Sequence, residues 1–208
     1  MSDDVGFPVL RTSDPACALC MARRLVAVGD TRHAEVLADI DLPDVEDVLR
    51  ARSLWPQAWF TWEDGPVAWE RGDLVDPTGL IGGVRGADLP SDHGSLSEHL
   101  PLRMELWGQP LGSVEDDFVA LAAPHAAQLH WWNLGRPEVP ELGLHPERKH
   151  AEVTVLFNTP TPALEERVDG HTVLVHVRDT SNEESMLRRA SWVAEQAGVT
   201  VIGGPVRG

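Results

Sequence analysis

Short apolar runs alternate with polar, Gly- or Pro-marked breaks along the chain, and the period of each run predicts an element. FPVLRT (Phe7 to Thr12) reads as a short strand, and SDPA after it carries turn and cap chemistry, with Ser13 and Asp14 as candidate N-caps. From Cys17 to Val28 the apolar positions Cys17, Cys20, Met21, Leu25 and Val28 follow helical spacing, and Gly29-Asp30 ends the run. AEVLADID (Ala34 to Asp41) predicts a second strand. In LPDVEDVLRARSL, Pro43 suits a first helical turn, and Val45, Val48, Leu49 and Leu54 form one face. WPQAWFTWEDGPVAWERGDL predicts a hairpin of strands Gln57 to Trp62 and Val67 to Trp69 around Glu63-Asp64-Gly65, with a helix after Gly72-Asp73. The expected order to that point is β-α-β-α-β-β, then α.

From Gly82 to His99 the chain turns to Gly, Ser, Asp and Pro, the composition of a linker or long loop. LRMELWGQPL and DDFVALAAPHAAQLHWWNL fit strands or helices equally, and Gly135 to His150 is Pro-rich and irregular. AEVTVLFN and HTVLVHVRD then predict strands. SNEESMLRRASWVAEQAG predicts a helix opened by the capping box Ser181-x-x-Glu184 and closed by Gly198, with VTVIGG as a last short strand. Such an ending suits a small α+β domain. The expected organisation is a domain over residues 1–85, a linker over 86–100 and an α+β domain over 101–208.

Composition narrows the class. With 42% hydrophobic and 24% charged residues the chain has the make-up of a globular protein, and no apolar run reaches the ~18 residues of a membrane span. MSDDVGFPVL is acidic and lacks the basic start and apolar centre of a secretion signal, so a reducing, cytoplasmic setting is expected. The net charge of −16 repels phosphate backbones and anionic membranes, so neither nucleic acid nor membrane is an expected partner. Eight Trp and no Tyr form an unusual aromatic set, and Trp55, Trp59, Trp62 and Trp69 cluster as core or groove wall.

The candidate chemistry centres on the two cysteines, Cys17 and Cys20, spaced Cys-x-x-Cys at the predicted helix start. Alone, that spacing fits a dithiol, half a zinc site or two small apolar residues. A structural zinc site needs four ligands. His33 lies twelve residues past Cys20 and supplies one more, while His125/His130 and His145/His150 sit over a hundred residues away. His171 and His176, five apart on one strand, point to opposite faces, and the other histidines are expected at the surface. The adjacent acids Asp116-Asp117 and Glu165-Glu166 suit a solvated face.

The order of elements adds a further expectation. SDPACALC after a short strand, LWPQAWFTWEDG with a Pro before the third strand, and ERGDL after the fourth together resemble the thioredoxin-like fold, particularly glutaredoxins. Asp14 to Cys20 also fits the Asp-x-x-Cys-x-x-Cys pattern of the DCC thiol-oxidoreductases. The resemblance covers residues 6–85 and implies an α/β fold, an N-terminal thioredoxin-like mixed sheet with flanking helices followed by the C-terminal α+β domain. It implies Cys17 as a nucleophile stabilised by a helix N-terminus, Cys20 as the resolving thiol, and Arg23 and Arg24 as added positive field. It implies Pro56 as a cis-proline opposite the dithiol, Trp55 and Trp59 flanking a groove, and Gly72 and Asp73 meeting a low-molecular-weight thiol. Ala18-Leu19 and Trp55 depart from that family's usual residues at these positions, which bears on activity. The expected function is a thiol-disulfide oxidoreductase needing no cofactor, acting on a protein disulfide or a low-molecular-weight thiol. A Trp-grooved interaction module and a zinc-stabilised adaptor are the alternatives.

Overall fold

The computed structural model describes residues 4–62, 83–148, 151–178 and 182–206. The chain divides into two compact units, Met1–Leu37 with Gly108–Gly208, and Ala38–Trp107.

In the first unit β1 (Asp4–Thr12) runs antiparallel to β8 (His171–Arg178), β8 to β7 (Glu152–Phe157) and β7 to β6 (Ala127–Trp132). Val5 and Phe7 of β1 and Val177 of β8 are all but fully buried, and they form one cluster with Met186 and Ala190 of α5 (Glu183–Gln196). The strand β1 is buried on both faces from Val5 to Val9, and Val5 and Phe7 take the face against α5. The helix α1 (Pro15–Val26) packs on β1, β7 and β8 through Ala18, Leu19, Met21, Ala22, Leu25 and Val26. In α4 (Glu115–Ala122) the buried Glu115 carboxylate accepts from Gly112 N (2.7 Å), Val114 N (3.2 Å) and Trp131 Nε1 (3.3 Å), so the charge enters the core fully hydrogen-bonded. The Pro-rich stretch after β6 is closed on itself by bridges Arg136↔Glu147 and Val139↔Leu144, with Gly143 (φ +65°) taking the left-handed turn.

In the second unit β3 (Trp59–Thr61) pairs antiparallel with β5 (Leu102–Gln109) and with β4 (Val84–Arg85). The strand β2 (Glu35–Leu42), which enters this unit at Ala38, buries Ala38, Ile40 and Leu42, and β5 buries Leu102, Met104 and Leu106, both with a strict period of two. Asp44 caps α2 (Val45–Leu54) by accepting from Asp47 N at 3.0 Å. The buried face of α2 is Val45, Val48 and Ala51, and Leu54 stands outside it. The stretch expected as linker holds a 3-10 turn (Gly86–Asp88) and α3 (His93–Ser97), and Arg52 of α2 ties it down by donating to Gly86 O (2.8 Å) and Ser91 Oγ (3.0 Å).

Within the first unit the strands hydrogen-bond in the antiparallel order β1-β8-β7-β6, and within the second in the antiparallel order β5-β3-β4. This overturns the expected thioredoxin-like sheet with flanking helices followed by a separate α+β domain. The neighbour of β1 is β8, from the far end of the sequence, because Val5 and Phe7 complete their core with β8 and α5 rather than with any strand of the first 85 residues. The undecided LRMELWGQPL is β5, and DDFVALAAPHAAQLHWWNL is α4 followed by β6. The helix α5 is capped by Asn182, which accepts from Ser185 N at 3.0 Å, while Ser181 lies outside the described residues. VTVIGG joins no named strand; Ile202 N donates to Pro8 O at 2.8 Å, and Gly6 and Val206 exchange backbone hydrogen bonds. The second hairpin strand and the helix expected after Gly72-Asp73 also lie outside the described residues.

The packing sets a contrast in stability. Phe7→Ala, at 1% exposure, is expected to cost about 3–5 kcal/mol, whereas Cys20→Ala on the exposed side of α1 is expected within about 0.5 kcal/mol of the parent. Urea unfolding of both variants checks this, and a destabilised Cys20→Ala would show that α1 is oriented otherwise.

Candidate functional site

Helix α1 begins directly where β1 ends. Thr12 pairs with His171 across the ladder, and its Oγ1 accepts from Asp14 N at 3.0 Å. Asp14 then serves as N-cap in an extended conformation, its carboxylate accepting from Ala16 N at 2.9 Å, and Pro15 takes the first helical position. This local chemistry puts Cys17 in the first turn and Cys20 one turn on, along the same side of the helix.

Both thiols are free and exposed. The sequence reading set Cys17 and Cys20 on the apolar stripe of the helix, but the buried stripe is made by Ala18, Leu19, Met21, Ala22, Leu25 and Val26. The intervening Ala18-Leu19 pair is thus the anchor that turns the cysteines outward. Arg23 is held by both Asp116 oxygens (3.1 and 2.8 Å), which raises the guanidinium and lowers the carboxyl. Arg24 donates to Ala197 O. Arg23 is ion-paired with Asp116 and still acts electrostatically on Cys20.

A cavity of about 520 Å³ opens at the same end of the unit, where the β1–α1 connection meets the start of β8. Arg11, Ser13, Asp169, His171 and Thr172 contribute its polar wall, with Leu174 among the apolar residues. His171 is 5% exposed, its ring 5.3 Å from that of Phe157, and its Nδ1 is buried without a hydrogen-bond partner among the described residues. Burial pushes its pKa down, opposed by the Asp14 carboxylate and a hydrogen bond to the Ser13 backbone.

The other expected site residues fall in the second unit or outside the described residues. Trp55, Pro56 and Trp59 belong to the second unit. Trp55 is 4% exposed at the C-terminal end of α2, a core residue rather than a groove wall. The Trp55–Pro56 bond is trans; the cis peptide bond among the described residues is Leu100–Pro101. Pro56 is exposed and its carbonyl accepts from Ala87 N at 2.9 Å, a turn role. Trp59, half-buried in β3, lies under the Arg85 guanidinium at 5.4 Å, a cation–π contact. Gly72 and Asp73 lie outside the described residues.

A second polar cluster escaped the sequence reading. His130 of β6, Glu152 and Thr154 of β7 and His176 of β8 meet across three strands. Thr154 Oγ1 lies 3.0 Å from His176 Nε2 and 3.4 Å from His130 Nδ1, and the two rings stack 5.7 Å apart. A hydroxyl carries one proton, so it serves both rings only when one of them presents an N–H. His130 Nε2 is 3.0 Å from Glu152 Oε2 but not aligned for a hydrogen bond. His176 is pushed down to about 3 by burial first, then by His130 and the buried Arg136. Thr154 is 1% exposed, which removes it as a nucleophile and makes the cluster a packed polar joint. Only strand pairing reveals it, since in sequence His130 has His125 as its nearest histidine.

Family models, curated proteins and solved structures were compared with the chain, and none matches. Among the described residues no group of three His, Cys, Asp or Glu could hold a metal ion, and no helix is long and apolar enough to cross a membrane.

The His176 ring couples stability to pH. The unfolded chain takes up a proton near the ordinary 6.5, and the folded chain does so only near 3. Stability tied to this group is therefore full above pH 6.5 and lost as pH falls towards 3. His176→Gln is expected to flatten the pH dependence of the urea midpoint between pH 7 and 4; an unchanged slope would contradict this origin.

Proposed function

We propose that the chain is a thiol-disulfide oxidoreductase whose reacting groups are Cys17 and Cys20. The observation that carries this reading is the outward side of α1: two free thiols one turn apart, both exposed, at the start of a helix whose buried face is complete without them. In the reaction, the Cys17 thiolate attacks one sulfur of a disulfide R–S–S–R′, forming a Cys17–S–S–R bond and releasing R′–S⁻. The Cys20 thiolate then displaces R–S⁻ and closes a Cys17–Cys20 bond. Two electrons pass from the dithiol to the substrate, and an external dithiol restores the pair. Residues three apart on a helix hold their Cβ atoms about 5–6 Å apart, against about 3.5–4.5 Å in a disulfide, so the first turn tightens slightly on oxidation. A reducing compartment, as the cytoplasm, suits the free-thiol form. The substrate class is a protein disulfide or the disulfide of a low-molecular-weight thiol. This reading needs neither a cis-proline nor a thioredoxin-like sheet.

The test is turnover of hydroxyethyl disulfide with dithiothreitol as reductant. Cys17→Ser is expected to lower the rate at least ~100-fold, and Cys20→Ser to accumulate a mixed disulfide on Cys17 seen by peptide mass mapping. A double Cys→Ser variant that consumes the disulfide as fast as the parent would sink the proposal.

A further inference from the structure

We infer that the cavity at the β1–α1 connection is a binding site for a small zwitterion of amino-acid type, with the ligand's carboxylate on Arg11 and its ammonium on Asp169. The site stands apart from the redox reading, although a ligand seated there lies beside the first turn of α1.

Three observations meet in this cavity. Its volume of about 520 Å³ falls in the range of about 300–1,000 Å³ that small-molecule sites occupy. Arg11 and Asp169, of opposite charge, both line it and are both exposed; neither makes an ion pair or hydrogen bond with the other or with any other described residue. Two complementary charges held on one rim without touching present a matched pair of contacts to a ligand that carries both signs. Behind them the wall holds His171, more than nine-tenths buried with Nδ1 lacking a partner, an uncommon condition for a buried polar atom. Nδ1 offers one further hydrogen bond, as donor or acceptor according to the tautomer.

Charge excludes the simpler ligands. A bare anion would gain from Arg11, but it would face Asp169 in the same lining and a chain of net charge −16. A bare cation would meet Arg11. A zwitterion has no net charge to be repelled at long range and satisfies both side chains at contact. Pro8, Pro160, Val168, Leu174 and Val206 supply apolar wall for a short side chain.

The test uses the full chain with Cys17→Ser and Cys20→Ser, so that no covalent chemistry contributes, and S-methyl-L-cysteine as the calorimetric titrant. Saturable binding to one site is expected. Arg11→Ala and Asp169→Asn should each weaken it on the order of tenfold or more, and Arg188→Ala should leave it unchanged. N-acetyl-S-methylcysteine and S-methylcysteamine, which lack the positive and the negative group, should bind correspondingly weaker. Thermal midpoints of the Arg11 and Asp169 variants establish that they are folded. Absence of saturable binding, indifference to both rim substitutions, or equal binding of the singly charged analogues would each overturn the site. Binding in this variant alongside a parent inert to disulfides would retain the site and discard the redox reading; the reverse pattern would do the opposite.

Discussion

The antiparallel pairing of β1 with β8 is the constraint on which the candidate site depends. It joins Arg11 to Thr172 and Thr12 to His171, so residues some 160 apart in sequence become wall-mates of one cavity. The same ladder fixes the direction in which the chain leaves β1, and Asp14 with Pro15 converts that direction into the axis of α1. A shift of one residue in this register would take Val5 and Phe7 out of the cluster that they form with Val177, Met186 and Ala190, so core burial enforces the pairing. Chemistry at the start of α1 is thus positioned by the core behind it.

The helix itself is fixed at several points. Its inner face is apolar, Asp116 grips Arg23 from α4, and Arg24 reaches the carbonyl at the end of α5. The exposed Arg23–Asp116 pair adds little energy, since water screens it, but its two-pronged geometry favours one rotation of the helix. That rotation decides which of Cys17, Ala18, Leu19 and Cys20 meets solvent. An outward dithiol is a consequence of where the small and aliphatic residues fall.

Local elements were legible in the sequence where period and caps agreed. The helices over Cys17–Val28 and after Pro43, the strands AEVTVLFN and HTVLVHVRD, and the final helix all appear within a few residues. What misled was the weight given to cysteine as an apolar residue: Ala18 and Ala22 carry as much of the buried stripe as any larger side chain, and they shift it away from Cys17 and Cys20. Trp55 illustrates a related limit, because an indole at a helix end reads alike as groove wall or core until its neighbours are known. The strand order could not be read, because β1 could have paired with any apolar strand and the choice is made by three-dimensional packing against α5. The His130–Thr154–His176 joint was invisible for the same reason, its members lying on three separate strands.

The partnership of the first and last strands also has a consequence for synthesis. At about 5–20 residues per second, a ribosome takes on the order of 10–30 s to travel from Thr12 to His171. Through that interval Val5, Phe7 and Val9 have α1 but no native strand partner, and an unpaired apolar strand edge is one that other chains can join. The segment that later hydrogen-bonds to Gly6 and Pro8, around Ile202 and Val206, is made later still. A protein built this way completes the ladder of its first strand only after β8 has been made.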